Sequence, residues 1–245
     1  MNSIILFLGG IFSGLYGSVV GSAGLINFPL LLLTGIPIHS VIATNRFGAI
    51  FLQLSSAARY NKAKKINPKI SLLLGGIAAA GSLIGATIVV NIDEQYLKLA
   101  AALFMGTIFI ILVLNKKIGL LEKKVNNNHW AIAFTYTFLL GIYGGFLGIG
   151  FGTLMTFTFI LIGKDLLASV AMSRAAGLVM SIPAVLVFAY HDLINYQYAI
   201  ALGSGMAIGA WIGAGMGIKK GNKFIKIALM VILLVTMSKL VIESK

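Results

Sequence analysis

Of the 245 residues in this chain, 59% are hydrophobic and 10% charged, against roughly 45–50% and 25% in an average soluble domain. With a mean hydropathy of +0.99, the chain carries more apolar side chain than a soluble fold of this size can hide, which excludes a cytosolic enzyme, a secreted domain and a disordered tail and makes lipid the solvent. Zero Cys removes disulfides, thiolate metal sites and cysteine nucleophiles, and the formal charge of +13 reads as basic loops held in the cytoplasm, not as a nucleic-acid surface.

The apolar runs, in chain order, are Asn2 to Gly35, Val41 to Ala58, Ile70 to Val90, Leu97 to Leu114, Ala131 to Ile162, Leu166 to Tyr190, Tyr198 to Ile218 and Phe224 to Ile242. A membrane-spanning helix needs about 20 apolar residues, so six of these are ordinary spans. The first and fifth are too long for one untilted crossing. Each is interrupted by glycines: Gly14, Gly17, Gly21 and Gly24 in one, Gly141, Gly144, Gly145, Gly148, Gly150 and Gly152 in the other. Two half-helices joined at a glycine turn fit such a run better. A signal peptide would suit Met1 to Gly24 in length, but the basic n-region is missing and the fifth run repeats the pattern deep inside the chain.

That repetition organises the whole sequence. A shift of 128 residues places Gly24 on Gly152, Gly35 on Gly163, Ala43 on Ala171 and Arg46 on Arg174. The same shift places Ile66-Asn67 on Ile194-Asn195, Gly75 on Gly203, Gly81 on Gly209 and Gly85 on Gly213. Upstream, Gly10, Gly14 and Gly17 match Gly141, Gly145 and Gly148 at a shift of 131, so the first turn is three residues longer. The chain reads as two four-segment units, residues 1–114 and 131–245, joined by a polar cytoplasmic linker over 115–130. If the fifth run enters and returns to one face, the basic residues outside the membrane divide 14 to 3 between the faces; if it crosses once, they divide 11 to 6. The positive-inside rule selects the first arrangement. By repeat symmetry the first run is also a hairpin. Each unit then has three crossings, and the units are inverted in the membrane. The expected fold is an all-α polytopic membrane protein of two inverted repeats, each a glycine-broken re-entrant hairpin plus three transmembrane helices. Both termini lie outside the cell membrane.

The stretch Gly141-Ile-Tyr-Gly-Gly145-Phe-Leu-Gly148-Ile-Gly150-Phe-Gly152 resembles the glycine signature G-x-x-x-G-x-x-G-x-G-G-G of the TauE/SafE family, the sulfite-exporter-like or toluene-sulfonate-uptake permeases. Ala43-Thr44-Asn45-Arg46 is similar to that family's A-x-G-T-[SN]-[KRL] stretch, and Ala171-Met172-Ser173-Arg174 to a degenerate second copy. Phe151 departs from the triple-glycine run, and Gly17-Ser-Val-Val-Gly21-Ser-Ala-Gly24 is longer than the pattern. The resemblance covers essentially the whole chain and implies movement of small sulfur-containing anions such as sulfite or organosulfonates.

The residues themselves also point to an anion. If both hairpins are re-entrant, their second arms begin near mid-membrane, at about Ala23 to Asn27 and Phe151 to Met155, and the first N–H groups of a helix suit an anion's oxygens. Gly24, Gly148, Gly150 and Gly152 allow close backbone approach there, and Ser22, Asn27, Thr153 and Thr156 offer short polar side chains. Arg46 and Arg174 add full charge, one from each unit, and Thr44, Asn45 and Ser173 beside them complete the candidate substrate-binding set. All six acids, Asp93, Glu94, Glu122, Asp165, Asp192 and Glu243, fall in loops or at segment ends, so no carboxylate neutralises the pathway. A duller reading has both arginines snorkelling to the headgroups. Gly205, Gly209, Gly213 and Gly217, echoed by Gly81 and Gly85, read as small-xxx-small helix packing. His39, His129 and His191 lie at segment edges, and neither a metal nor a cofactor is expected.

The expected function is therefore a secondary transporter or facilitator for a small anion, with membrane lipid as its surroundings and no nucleic-acid partner. One alternative is a non-transporting membrane scaffold, though broken backbone at membrane depth belongs where it lines a cavity. The other is an intramembrane hydrolase built on Ser22, which would need a base that no apolar interior supplies. Sequence alone leaves open the anion, the direction of transport, a homodimer, and coupling to H⁺ or Na⁺.

Overall fold

The computed structural model describes the backbone of residues 2–97 and 127–243, with side chains over 2–97 and 129–225. The expected span to Leu114 beyond Leu97, and the linker residues Lys116, Lys117, Glu122, Lys123 and Lys124, lie outside the described residues. Eight helices are described: α1 (Asn2–Val20), α2 (Gly24–Leu32), α3 (Ile38–Lys62), α4 (Pro68–Asn91), α5 (Asn127–Phe146), α6 (Phe151–Leu161), α7 (Leu166–Tyr190) and α8 (Tyr196–Glu243). No strand occurs among the described residues. Asn2–Val20, Pro68–Asn91, Leu166–Tyr190 and Tyr196–Ile225 are each long and apolar enough to cross a membrane. Their outward faces carry Ile4, Leu8, Phe12, Leu72, Leu83, Leu186, Ile200 and Ile212, all exposed, as lipid contact requires.

Local chemistry sets the element ends, and it does so in register with the repeat. Asn67 accepts from the Ile70 backbone N–H (3.3 Å) at the start of α4, and Asn195, its counterpart, accepts from Tyr198 N–H (3.0 Å) at the start of α8. Gly35 and Gly163, also counterparts, end α2 and α6 with φ of 79° and 86°. Helix α8 covers the seventh and eighth runs but is broken at Gly221, whose backbone is not helical (φ 69°, ψ −167°). Ile225 Cδ1 lies 3.8 Å from where a Cβ on Gly217 would stand, closer than two turns of continuous helix allow, so the chain turns tightly within the loop expected between Ile218 and Phe224.

The long apolar runs are broken where expected, but only some of their glycines make the break. α1 continues through Gly10, Gly14 and Gly17, and α5 through Gly141, Gly144 and Gly145. These face neighbours too close for a Cβ: Gly10 and Gly14 lie on the Leu202 and Met206 carbonyls of α8, Gly141 and Gly145 on the Ala78 and Ser82 carbonyls of α4. The opposing glycines reciprocate, Gly205, Gly209 and Gly213 against Phe7, Ile11 and Leu15, and Gly81 and Gly85 against Phe138 and Ile142. The glycine ladder is helix packing, as its spacing implies. Positions rise together in both pairs, so α1 runs parallel to α8 and α4 parallel to α5. Thus α1 packs on the last described helix, α8, and α5 on the helix described just before it in the chain, α4.

These pairings fix the two ends of the bundle. At one end Asn2 Nδ2 donates to Tyr198 Oη (3.3 Å) and His39 Nε2 lies 3.0 Å from the Ile92 carbonyl. At the other, Lys64, Lys65 and Lys69 share a groove with Lys164, and the Leu167 N–H donates to Asn222 Oδ1 (2.7 Å) beside Lys219, Lys220 and Lys223. Trp211 stacks there under Arg59 (4.8 Å) and Lys62 (5.1 Å). Gly9 faces Leu30 and Gly17 faces Ala23, so α2 folds back along α1 toward the Asn2 end. α6 returns instead to Lys164, at the basic end. At 1.5 Å per residue, α2 and α6 reach about 14 and 17 Å, roughly half the hydrocarbon core.

Candidate functional site

The two turns meet. Gly21 (φ 107°) packs its backbone on Gly152 and Thr153, and a Cβ on Gly24 would lie 3.3 Å from Ile149 Cα. Thr153 Oγ1 donates to the Val20 carbonyl (2.8 Å). That bond uses its proton, so in the 2.6 Å contact between Ser22 Oγ and Thr153 Oγ1 it is Ser22 that donates. Each half-helix therefore begins against the turn of the other, and both N-termini face a common interior.

Between them lies a cavity of about 40 Å³ lined by Gly21, Ala23, Gly24, Asn27, Asn45, Arg46, Ala49, Leu52, Gln53, Gly148, Gly150, Phe151, Gly152, Ser173, Arg174 and Met206. By that measure one water needs about 10–15 Å³, so only a small group fits. Arg46 and Arg174 are 4% and 3% exposed, which removes the snorkelling reading. Arg46 Nη2 donates to the Gly144 carbonyl near the C-terminus of α5, while its Nε has no partner. Arg174 Nε and Nη2 have none. The turn residue Gly148 (φ 68°) admits the Arg46 guanidinium where a side chain would stand, and Gly152 lies against Arg174 Nη1. Neither arginine forms an ion pair with a carboxylate among the described residues. Burying a charge without a counter-charge costs several kcal/mol, and the space between these two guanidiniums has the size and polarity to admit one.

The cavity gathers every candidate residue except Ser22, Thr44, Thr153 and Thr156. Ser22 and Thr153 are the bond between the turns, just behind its wall. Thr44 points away and accepts from Asn195 N–H (3.0 Å) at the entry to α8. Asn27 donates to Met206 Sδ (3.3 Å) and leaves its Oδ1 without a partner, as does Asn45. Ser173 Oγ donates to the Val170 carbonyl (2.8 Å) and lies 3.1 Å from Thr156 Oγ1, which donates to the Gly152 carbonyl (2.7 Å). Sequence reasoning missed Gln53, Phe151 and Met206. For Gln53 a signal existed: no other glutamine lies inside an apolar run, and it falls two helical turns after Arg46. Tyr143 was missed too; its hydroxyl donates to the Ile149 carbonyl (2.5 Å) and pins the second turn.

The sulfite exporter TauE/SafE family profile matches residues 6–240. The chain belongs to that family. Among its relatives is a probable membrane transporter protein, ORF9, of Sinorhizobium, 25% identical over 93% of this chain and 87% of its own length. The probable membrane transporter protein YdhB of Bacillus subtilis is 30% identical over 86% of this chain and 87% of its own. One from Haemophilus influenzae is 23% identical over 98% and 94%. No solved structure matches. The chain is thus a multi-pass membrane transporter of the TauE/SafE family, and the glycine signature of that family acquires two separate jobs here. Gly141 and Gly145 seat α5 on α4, whereas Gly148, Gly150 and Gly152 form the turn around the arginines.

Proposed function

We propose that this TauE/SafE protein moves a small sulfur oxyanion, sulfite or a close relative, across the cell membrane as a secondary transporter or facilitator. The anion sits between the N-termini of α2 and α6, held by Arg46 and Arg174. The observation that carries this reading is two buried guanidiniums lining one small cavity with no carboxylate among the described residues to neutralise them. A guanidinium offers paired donors that match two oxygens of such an anion. The half-helix N-termini add partial positive charge at close range. Ser22 speaks against a hydrolase, since its hydroxyl is spent on Thr153 and no base stands beside it among the described residues.

We read the architecture as two inverted repeats. The opposite openings of the hairpins, the exchanged pairing of α1 with α8 and α4 with α5, and the matched caps Asn67 and Asn195 support it. The gathering of described loop lysines at one end supports a cytoplasmic placement of that end and of the outer placement of Asn2. The test is flux in proteoliposomes of a panel of sulfur oxyanions and carboxylates, with and without imposed pH and Na⁺ gradients. Uptake of sulfite or a related oxyanion, lost in Arg174→Gln at equal folding, is the expected result. Flux of none of the panel, or flux indifferent to Arg174→Gln, overturns the reading.

A further inference from the structure

Two guanidiniums attract any small anion, so charge by itself does not explain how this cavity would tell one from another. Besides the arginines, Asn27, Asn45, Gln53 and Ser173 carry donors on its wall; Asn27 and Ser173 donate to Met206 Sδ and the Val170 carbonyl, whereas Gln53, 7% exposed and near the middle of α3, is held with its donor end free. Its amide is oriented: Ser181 Oγ donates to Gln53 Oε1 (3.1 Å), which fixes Nε2 as the end left to donate. That nitrogen stands over Gly177, where a Cβ would come within 2.9 Å, and has no protein acceptor among the described residues. Ser181 is the residue 128 positions after Gln53, so the two units meet here through equivalent positions. Ser181 is itself buried and does not line the cavity.

We propose that Gln53, held in orientation by Ser181, is the residue that makes the cavity select an anion with several oxygens over a spherical halide; this rests on the anion reading of the same cavity. Arg46 and Gln53 on α3 and Arg174 on α7 line the same cavity and offer donors to separate acceptor atoms of an oxyanion. A halide offers one centre and leaves a buried amide hydrogen unpaired, the kind of mismatch that binding sites reject most strongly. Glutamine also adds this direction without charge. Glutamate in its place would accept the same Ser181 bond but neutralise an arginine and turn the donor into an anion facing the substrate.

The test measures equilibrium binding of sulfite and of chloride to the purified, reconstituted protein. Wild type binds sulfite more tightly than chloride. Gln53→Met lowers sulfite affinity about tenfold and chloride affinity by less than about twofold. Ser181→Ala, which touches no wall of the cavity, lowers the sulfite preference about threefold, and Gln53→Glu removes binding of both ions. A folded Gln53→Met or Ser181→Ala protein with an unchanged sulfite-to-chloride ratio overturns the assignment while leaving the anion site intact. Wild type that binds neither ion overturns the anion site and this assignment with it.

Discussion

Arg46 and Arg174 occupy equivalent positions, eight residues into α3 and α7, yet they are held differently. Arg46 is tethered to the Gly144 carbonyl, an unpaired acceptor at the end of α5, whereas Arg174 has two nitrogens without partners. The difference comes from the turns. The second turn places two left-handed glycines, Gly148 and Gly150, where they open a slot for a guanidinium at the end of α5; the longer first turn has a single such residue, Gly21, and its backbone is packed on Gly152 and Thr153. Repeating a residue preserves its location in the fold, and the local turn then decides its partner.

This contrast can be broken at the slot. Gly148→Ala adds a Cβ at a left-handed φ of 68° and directly on Arg46 Nη2, and should cost about 3 kcal/mol or more in thermal unfolding. Gly35→Ala, at a φ of 79° with open space around it, serves as the control and should cost about 1 kcal/mol. Equal losses at the two sites would mean that the slot accommodates nothing in particular.

It can be sharpened at the arginines. Arg174→Met deletes an unpaired buried charge and should raise anion-free stability by about 1–3 kcal/mol while abolishing anion binding. Arg46→Met orphans the Gly144 carbonyl and should lower stability by about 1–2 kcal/mol, again with loss of binding. Opposite signs in a melting experiment without anion are expected, and matching signs would erase the distinction. The smallest effect belongs to the bond between the turns. Thr153→Val removes both its donation to Val20 and the acceptor of Ser22, for a loss of about 1–2 kcal/mol seen by the same measurement.

Much of this was legible in the sequence because lipid makes some residues conspicuous. Two arginines inside apolar runs, at one spacing in both units, had to be buried or functional, and the helix starts at Gly24 and Phe151 follow from the glycine turns. What stayed hidden was which glycines bend the chain and which let helices touch. Both uses need the absence of a Cβ, so Gly14 and Gly21 look alike until a neighbour such as Met206 is in place. Thr44 was misleading for a related reason. Adjacency to Arg46 along a helix turns its side chain about 100° or more away, here toward Asn195. Gln53 needed the helical period to be followed two turns beyond the arginine, and its partner Ser181 needed the repeat register as well.

The parallel pairing of α1 with α8 has a consequence for biogenesis. α8 begins about 190 residues after α1 starts, which at a synthesis rate of roughly 5–20 residues per second is about 10–40 seconds. Through that interval the flat glycine face of α1, with Gly10 and Gly14, resides in the bilayer without the helix it was shaped for. Lipid tails can cover it because the segment is apolar over its full length, with a mean hydropathy of 1.9. Helix α1, made long before α8, thus acquires that native neighbour only late, once α8 has followed it into the bilayer.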